Sequence, residues 1–229
     1  MYRALLFDLD GTLTPVRSVW QHLHERLGLW DAHAVRHQEA FLRGRLTYEE
    51  FCRRDAAHWK GMPVARLRAF TDRIPYRRGA RAAIAAARGR GAVVGVISTG
   101  LTLLADRAHR ELGLDWSVAN HLAVRGGRFS GAVAIRVRHG AKDAAVDRFC
   151  RRFRLDPAEV ISIGDSDGDI SMFARTGLSV AFQPATRRTA RAASWVDRGA
   201  SLLDLVRRLP LGGEGSLPAA RRPARRATA

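Results

Sequence analysis

Lysine is almost missing: Lys60 and Lys142 are the only two in 229 residues, and the net charge of +17 therefore rests on arginine. Cysteine is equally scarce. Cys52 and Cys150 lie far apart, which excludes a disulfide framework and any cysteine-based metal spacing. They read as inert thiols in a reducing compartment. No apolar run approaches the roughly 18 residues of a membrane span. The N-terminus enters a strand without a signal-peptide pattern. The expectation is a soluble, cytoplasmic protein with no membrane partner. Aromatic residues are few and follow no base-stacking pattern, and no nucleic-acid-binding motif is present, so nucleic acid is an unlikely partner despite the charge. A basic surface still attracts anions, phosphorylated metabolites among them.

What is present begins at Leu5. Leu5-Leu6-Phe7 reads as a buried parallel strand, and Asp8-Leu9-Asp10-Gly11-Thr12-Leu13-Thr14 follows at its carboxyl end. Open α/β sheets place their sites there. Two close carboxylates repel each other unless a cation lies between them, and a hard, oxygen-liking ion such as Mg²⁺ suits them.

Between residues 15 and 75 no strand is convincing. Helical spacing runs through Val16–Leu29, Ala32–Arg43, Thr47–Lys60 and Val64–Arg73, with a capping box at Thr47 and Glu50. From Pro75 onward, strands and helices alternate. Apolar strands are expected at Ala92–Ile97, Trp116–Ala119, Val160–Ile163, Leu178–Phe182 and Trp195-Val196, and a hairpin joins His121–Val124 to Ala132–Val137 through Gly126-Gly127. The fold class is therefore α/β: a Rossmann-like, doubly wound, mainly parallel sheet with an all-helical cap inserted after the first strand. The expected division is a core of residues 1–14 and 76–210, a cap of residues 15–75, and a disordered basic tail over 211–229 that includes Arg221, Arg222, Arg225 and Arg226.

Three strands end in polar loops on one side of such a sheet. They bring together Asp8, Asp10, Thr12, Ser98, Asp165 and Asp169, and Lys142 opens a helix nearby. Four carboxylates, two hydroxyls and one ammonium suit a Mg²⁺-assisted reaction on phosphate. One carboxylate is placed to attack phosphorus and a second to shuttle the proton.

The stretch DLDGTLT, the apolar strand into STG, Lys142 and GDSDGDISMF, in that order, resemble the four motifs of the haloacid dehalogenase superfamily of phosphatases. The helical insertion resembles the cap of its phosphoserine phosphatase-like subfamily. The resemblance implies Asp8 as nucleophile and Asp10 as acid and base, with Thr12 orienting Asp10. It implies Ser98, Gly100 and Lys142 on the transferring phosphoryl group. It implies Mg²⁺ held by Asp8, Asp165 and the Asp10 backbone carbonyl, with Asp169 supporting that shell. A dehalogenase is disfavoured because Asp10 and Asp165 supply acid and metal functions, and an ion pump is excluded by the missing spans. A phosphosugar phosphatase or a phosphomutase of the same superfamily is the alternative.

The cap departs from that subfamily. The glutamate that binds the substrate amine falls at Arg17, nine residues after Asp8, and the arginine for the substrate carboxylate falls at Asp55. The expectation is a phosphoserine phosphatase-like enzyme reading a different small phosphomonoester, with Arg17 facing a second anionic or polar group. The alternative for Arg17 is a solvated side chain or a pair with Asp55. Monomer and homodimer are both left open.

Overall fold

The computed structural model describes residues 1–30 and 32–212, and side chains within the second helix from Ala34 onward. Nearly all of the expected basic tail lies outside the described residues.

β1 (Ala4–Phe7) is buried along its whole length. It pairs in parallel with β2 (Val93–Leu101) on one side and β5 (Val160–Gly164) on the other. β3 (Trp116–Arg125), β4 (Arg128–Ala134), β6 (Leu178–Phe182) and β7 (Trp195–Asp197) complete a seven-stranded sheet of order β4-β3-β2-β1-β5-β6-β7. Only the β3–β4 pair is antiparallel. Side chains alternate across a strand, so β1 feeds two cores. Leu5 and Phe7 join α5 (Ala80–Gly89), α6 (Thr102–Leu112) and α10 (Leu202–Arg208). Ala4 and Leu6 join α7 (Asp143–Phe153) and α8 (Ile170–Arg175) through Val146, Phe149, Met172 and Phe173. Helices cover both faces, which is why β1 is a continuous apolar run and β5 is buried along its whole length.

Two expectations differ from the structure. Trp116–Ala119 and His121–Val124 are one strand, β3, which is parallel to β2 in its first part and antiparallel to β4 in its second. Asn120 passes through this strand buried because all its polar atoms find partners. The return strand starts at Arg128, directly after Gly126 and Gly127, and not at Ala132. Both glycines have positive φ, as a two-residue hairpin turn requires.

Between β1 and β2 lie α1 (Val19–Arg26), α2 (Ala32–Leu42), α3 (Tyr48–Ala57) and α4 (Val64–Thr71). The Thr47–Glu50 capping box starts α3. Two contacts fix this helical group to the sheet. The α3–α4 connection bonds to the β3–β4 hairpin at Gly61, Met62 and Val64. At the exit, the buried Arg107 of α6 donates through Nη1 to the carbonyls of Thr71 and Ile74, both at 2.7 Å, and its guanidinium lies 4.8 Å from the Tyr76 ring centre. No helix among the described residues is long and apolar enough to cross a membrane.

Arg107→Met leaves two carbonyls without their charged donor. The expected loss is about 2–4 kcal/mol of unfolding free energy, read from urea denaturation. A loss under ~0.5 kcal/mol, the range of an ordinary surface change, would show that the exit segment is held by other means.

Candidate active site

The first strand ends where its chain must turn sharply. Asp8 still belongs to the sheet, its N–H donating to the Ile163 carbonyl. The Leu9 carbonyl then accepts from the amides of Thr12, Leu13 and Thr14, closing a tight loop. Gly11 sits at φ +84°, and a Cβ there would fall 2.3 Å from Asp165 Oδ2. Only glycine fits both the backbone and the neighbour. Arg77 clamps the loop from outside, with Nε and Nη2 donating to the Gly11 carbonyl at 3.0 and 2.7 Å.

Because β1 and β5 are adjacent, their loops meet. Asp8, Asp165 and Asp169 are buried, and each offers a carboxylate oxygen within 4.8 Å of the others. Lys142, at the start of α7, places Nζ 2.6 Å from Asp8 Oδ1 and 2.6 Å from Asp169 Oδ1. Burial by itself depresses an ammonium, but Asp169 and Asp8 outweigh it and hold Lys142 above its usual range. Asp169 is engaged on each side. Its Oδ2 accepts from the amides of Asp165 and Ser166 and from the Ser166 hydroxyl, at 3.1, 2.9 and 3.1 Å. With Lys142 on Oδ1, both oxygens are bonded and the side chain organises the loop, while Oδ1 keeps a second lone pair beside Asp8 and Asp165.

Burial, then repulsion from Asp169, raises Asp8 well above the carboxylate range and takes Asp165 to about 7. Lys142 and the Arg17 guanidinium, 3.0 Å from Asp165, are two cations against three buried carboxylates. The hard oxygen donors of Asp8 and Asp165 therefore fit a divalent cation. Asp10 differs from them. Its Oδ2 accepts from the Val19 amide at 2.8 Å, at the start of α1. Its Oδ1 is shielded from solvent and has no hydrogen-bond partner. Burial raises Asp10 to about 6, against the opposing pull of the Val19 amide.

The cleft is floored by Asp8, Asp10 and Gly100 and walled by Arg17, Trp20, Gln38, Phe41, Tyr48, Phe51 and His139. Its hinge with the sheet is a single carbonyl. Thr99 O accepts from Tyr48 Oη (2.6 Å), Asn120 Nδ2 (2.9 Å) and Trp20 Nε1 (3.2 Å), so α1, α3 and β3 converge beside Gly100.

The expected residues Asp8, Asp10, Thr12, Ser98, Gly100, Lys142, Asp165 and Asp169 come together, but several do so differently than expected. Thr12 is buried and donates to Asp165 Oδ1 at 3.2 Å, not to Asp10. Ser98 is buried and accepts from the Gly100 amide at 2.9 Å; it does not line the cleft. Arg17 faces inward, with Nη1 3.0 Å from Asp165 Oδ2, and pairs with neither Asp55 nor solvent alone. Asp55 is removed from the cleft: it is buried among the helices, its Oδ2 3.6 Å from His24 Nε2. Tyr48, Gln38 and His139 were given no site role from the sequence, and neither was Asn120, although its stretch resembles the subfamily. Asn120 left a trace there, as a lone amide inside an apolar strand.

The model of the haloacid dehalogenase-like hydrolases matches residues 5–174, and the chain belongs to that family. Its relatives include a phosphoserine phosphatase of Archaeoglobus fulgidus, 30% identical over 79% of this chain, though this chain spans only about half (52%) of that protein. A phosphoserine phosphatase of Methanocaldococcus jannaschii is 29% identical over 79% of this chain and 85% of its own. Among solved structures, a phosphoserine phosphatase captured as a phospho-aspartyl intermediate analogue superposes with a TM-score of 0.79 at 25% identity, covering 90% of this chain and 98% of the other.

Replacing Lys142 by Met leaves the buried carboxylates without their ammonium. The expected cost is about 3–5 kcal/mol in denaturation without divalent cation, partly recovered on adding Mg²⁺. Equal stability in both conditions, and equal to wild type, would show that Lys142 does not balance this cluster.

Proposed function

We propose that this chain is a Mg²⁺-dependent phosphomonoester hydrolase that works through an aspartyl-phosphate on Asp8. The observation that carries the reading is the buried Lys142 ammonium, 2.6 Å from Asp8 and from Asp169. It keeps one Asp8 oxygen bonded and leaves the other to attack. The named relatives support it, one of them solved as a phospho-aspartyl analogue.

In the first step an Asp8 carboxylate oxygen forms a bond to phosphorus as the ester P–O bond breaks. The Asp10 carboxyl gives its proton to the departing alkoxide. Its Oδ1, without another partner, is the oxygen suited to hold that proton, and a carboxyl near 6 is well matched to the task. In the second step Asp10 takes a proton from water as its oxygen bonds to phosphorus, and the bond to Asp8 breaks, releasing inorganic phosphate. Lys142 offsets the charge gathered around Asp8, and Ser98 shapes the phosphoryl seat by holding the Gly100 amide. Gly100 must stay bare, since a Cβ there would lie 2.8 Å from Asp10 Oδ2. Asp8 and Asp165 would hold Mg²⁺, which when bound adds positive charge opposite the phosphoryl oxygens. Thr12 and Arg17 position Asp165.

In this reading residues 1–14 and 76–210 are the catalytic core and 15–75 the cap, with a small phosphomonoester as partner. Cys52 and Cys150 are free and buried, which suits a cytoplasmic setting.

Asp8→Asn is expected to lower Mg²⁺-dependent phosphate release from p-nitrophenyl phosphate by more than about 10³-fold. Asp10→Asn should lower it by about 10²–10⁴-fold, and chelation should abolish it. A fully active Asp8→Asn enzyme would refute the nucleophile.

A further inference from the structure

The cleft wall opposite the carboxylates is aromatic and carries no negative charge. Phe41 is its centre. It stacks on Phe51 (5.2 Å between ring centres, 17° between planes), meets His139 edge-on at 5.4 Å and leans on Tyr48 at 5.6 Å. Across from it, Trp20 is stacked on the buried Trp59 at 5.4 Å. The polar tips of Trp20 and Tyr48 are already spent on the Thr99 carbonyl, so these side chains turn ring surface toward a substrate.

Most of the described acids of the helical segment are engaged away from the cleft. Glu49 pairs with Arg138, Glu39 with Arg43, and Glu50 closes the α3 capping box. Asp55 is buried against His24. Among the described residues no carboxylate of α1–α4 lines the cleft; beside the rings stand the Gln38 amide and Arg17, whose guanidinium reaches down to Asp165 at 3.0 Å.

We infer that the alcohol part of the substrate is uncharged and apolar, and that Phe41, Phe51 and Trp20 select it. This rests on the phosphatase reading above. An ammonium-bearing alcohol would have to leave water and face Arg17 with no anion to pair with. A zwitterionic amino-acid ester meets one suitable charge, Arg17, and lacks the other. A quaternary ammonium could use the ring faces, but the guanidinium of like sign stands on the same wall. An apolar group meets neither obstacle and gains contact with the rings, each methylene-sized group adding roughly tenfold or more in discrimination.

The test compares kcat/KM, with Mg²⁺, for benzyl phosphate, phosphoserine and phosphocholine, using p-nitrophenyl phosphate as an activity control. Benzyl phosphate is expected to exceed both charged esters by at least about tenfold. Phe41→Ala is expected to shrink that advantage to within about threefold, mainly through KM, while Phe41→Leu keeps most of it. The wild-type ranking decides the matter even if the alanine variant does not fold. Phosphoserine or phosphocholine matching or beating benzyl phosphate, with the control ester still hydrolysed, overturns the substrate class and leaves the phosphatase reading standing. No Mg²⁺-dependent phosphate release from any of the four esters overturns both.

Discussion

A buried ammonium organises this molecule. Lys142 is the only lysine in the core of the fold, and it is nearly inaccessible to solvent. Burying it is costly unless close anions compensate, and Asp8 and Asp169 do so from two different strand ends. The interaction therefore constrains three segments at once: the end of β1, the loop after β5 and the start of α7. Asp169 passes the constraint on, because the same carboxylate that holds Lys142 also holds the amides of Asp165 and Ser166. Gly164 belongs to this arrangement, since a Cβ there would fall 2.4 Å from Asp169 Cγ. The neighbouring carboxylates make this ion pair incomplete. Asp165 takes no bond from Lys142 and is held instead by the Arg17 guanidinium and the Thr12 hydroxyl, which leaves three buried carboxylates facing two cations.

A second constraint joins the helical segment to the phosphate seat. The Thr99 carbonyl takes three donors from three elements, and Asn120 supports it by holding Tyr48 as well, with its own Oδ1 fixed by the amides of Arg136 and Val137. Thr99 lies between Ser98 and Gly100. The positions of α1 and α3 are therefore tied by direct hydrogen bonds to the backbone beside Ser98 and Gly100.

Much of this was legible locally. A buried strand followed by DLDGT, a lysine in an arginine chain, and alternating strands and helices all follow from period, charge and turn chemistry within a few residues of one another. What escaped depends on distant partners. Thr12 has Asp10 two residues away, yet its hydroxyl goes to Asp165, because the turn at Gly11 points it across to the next strand. Asp55 lies on a helix whose apolar face is evident, but helical spacing does not reveal that the neighbouring element is α1 with His24 on it. Phe41 reads as an ordinary core residue of an amphipathic helix, and only the placement of α2 over the sheet opens it to the cleft. His139 precedes Lys142 by a short loop that follows no period at all.

Two of these, Asp55 and Phe41, lie in the inserted helices, and there is a physical reason for that. The carboxylates sit at or just after strand ends, where the register of β1 against β5 brings them side by side. The residues that read the alcohol sit on helices held by a few contacts: the Thr99 carbonyl, the hairpin bonds around Gly61 and the Arg107 clasp. A substitution on such a helix alters the wall without disturbing the carboxylates beneath. In this chain the side chains that line that wall, Arg17, Trp20, Gln38, Phe41, Tyr48 and Phe51 among them, all come from the inserted helical segment.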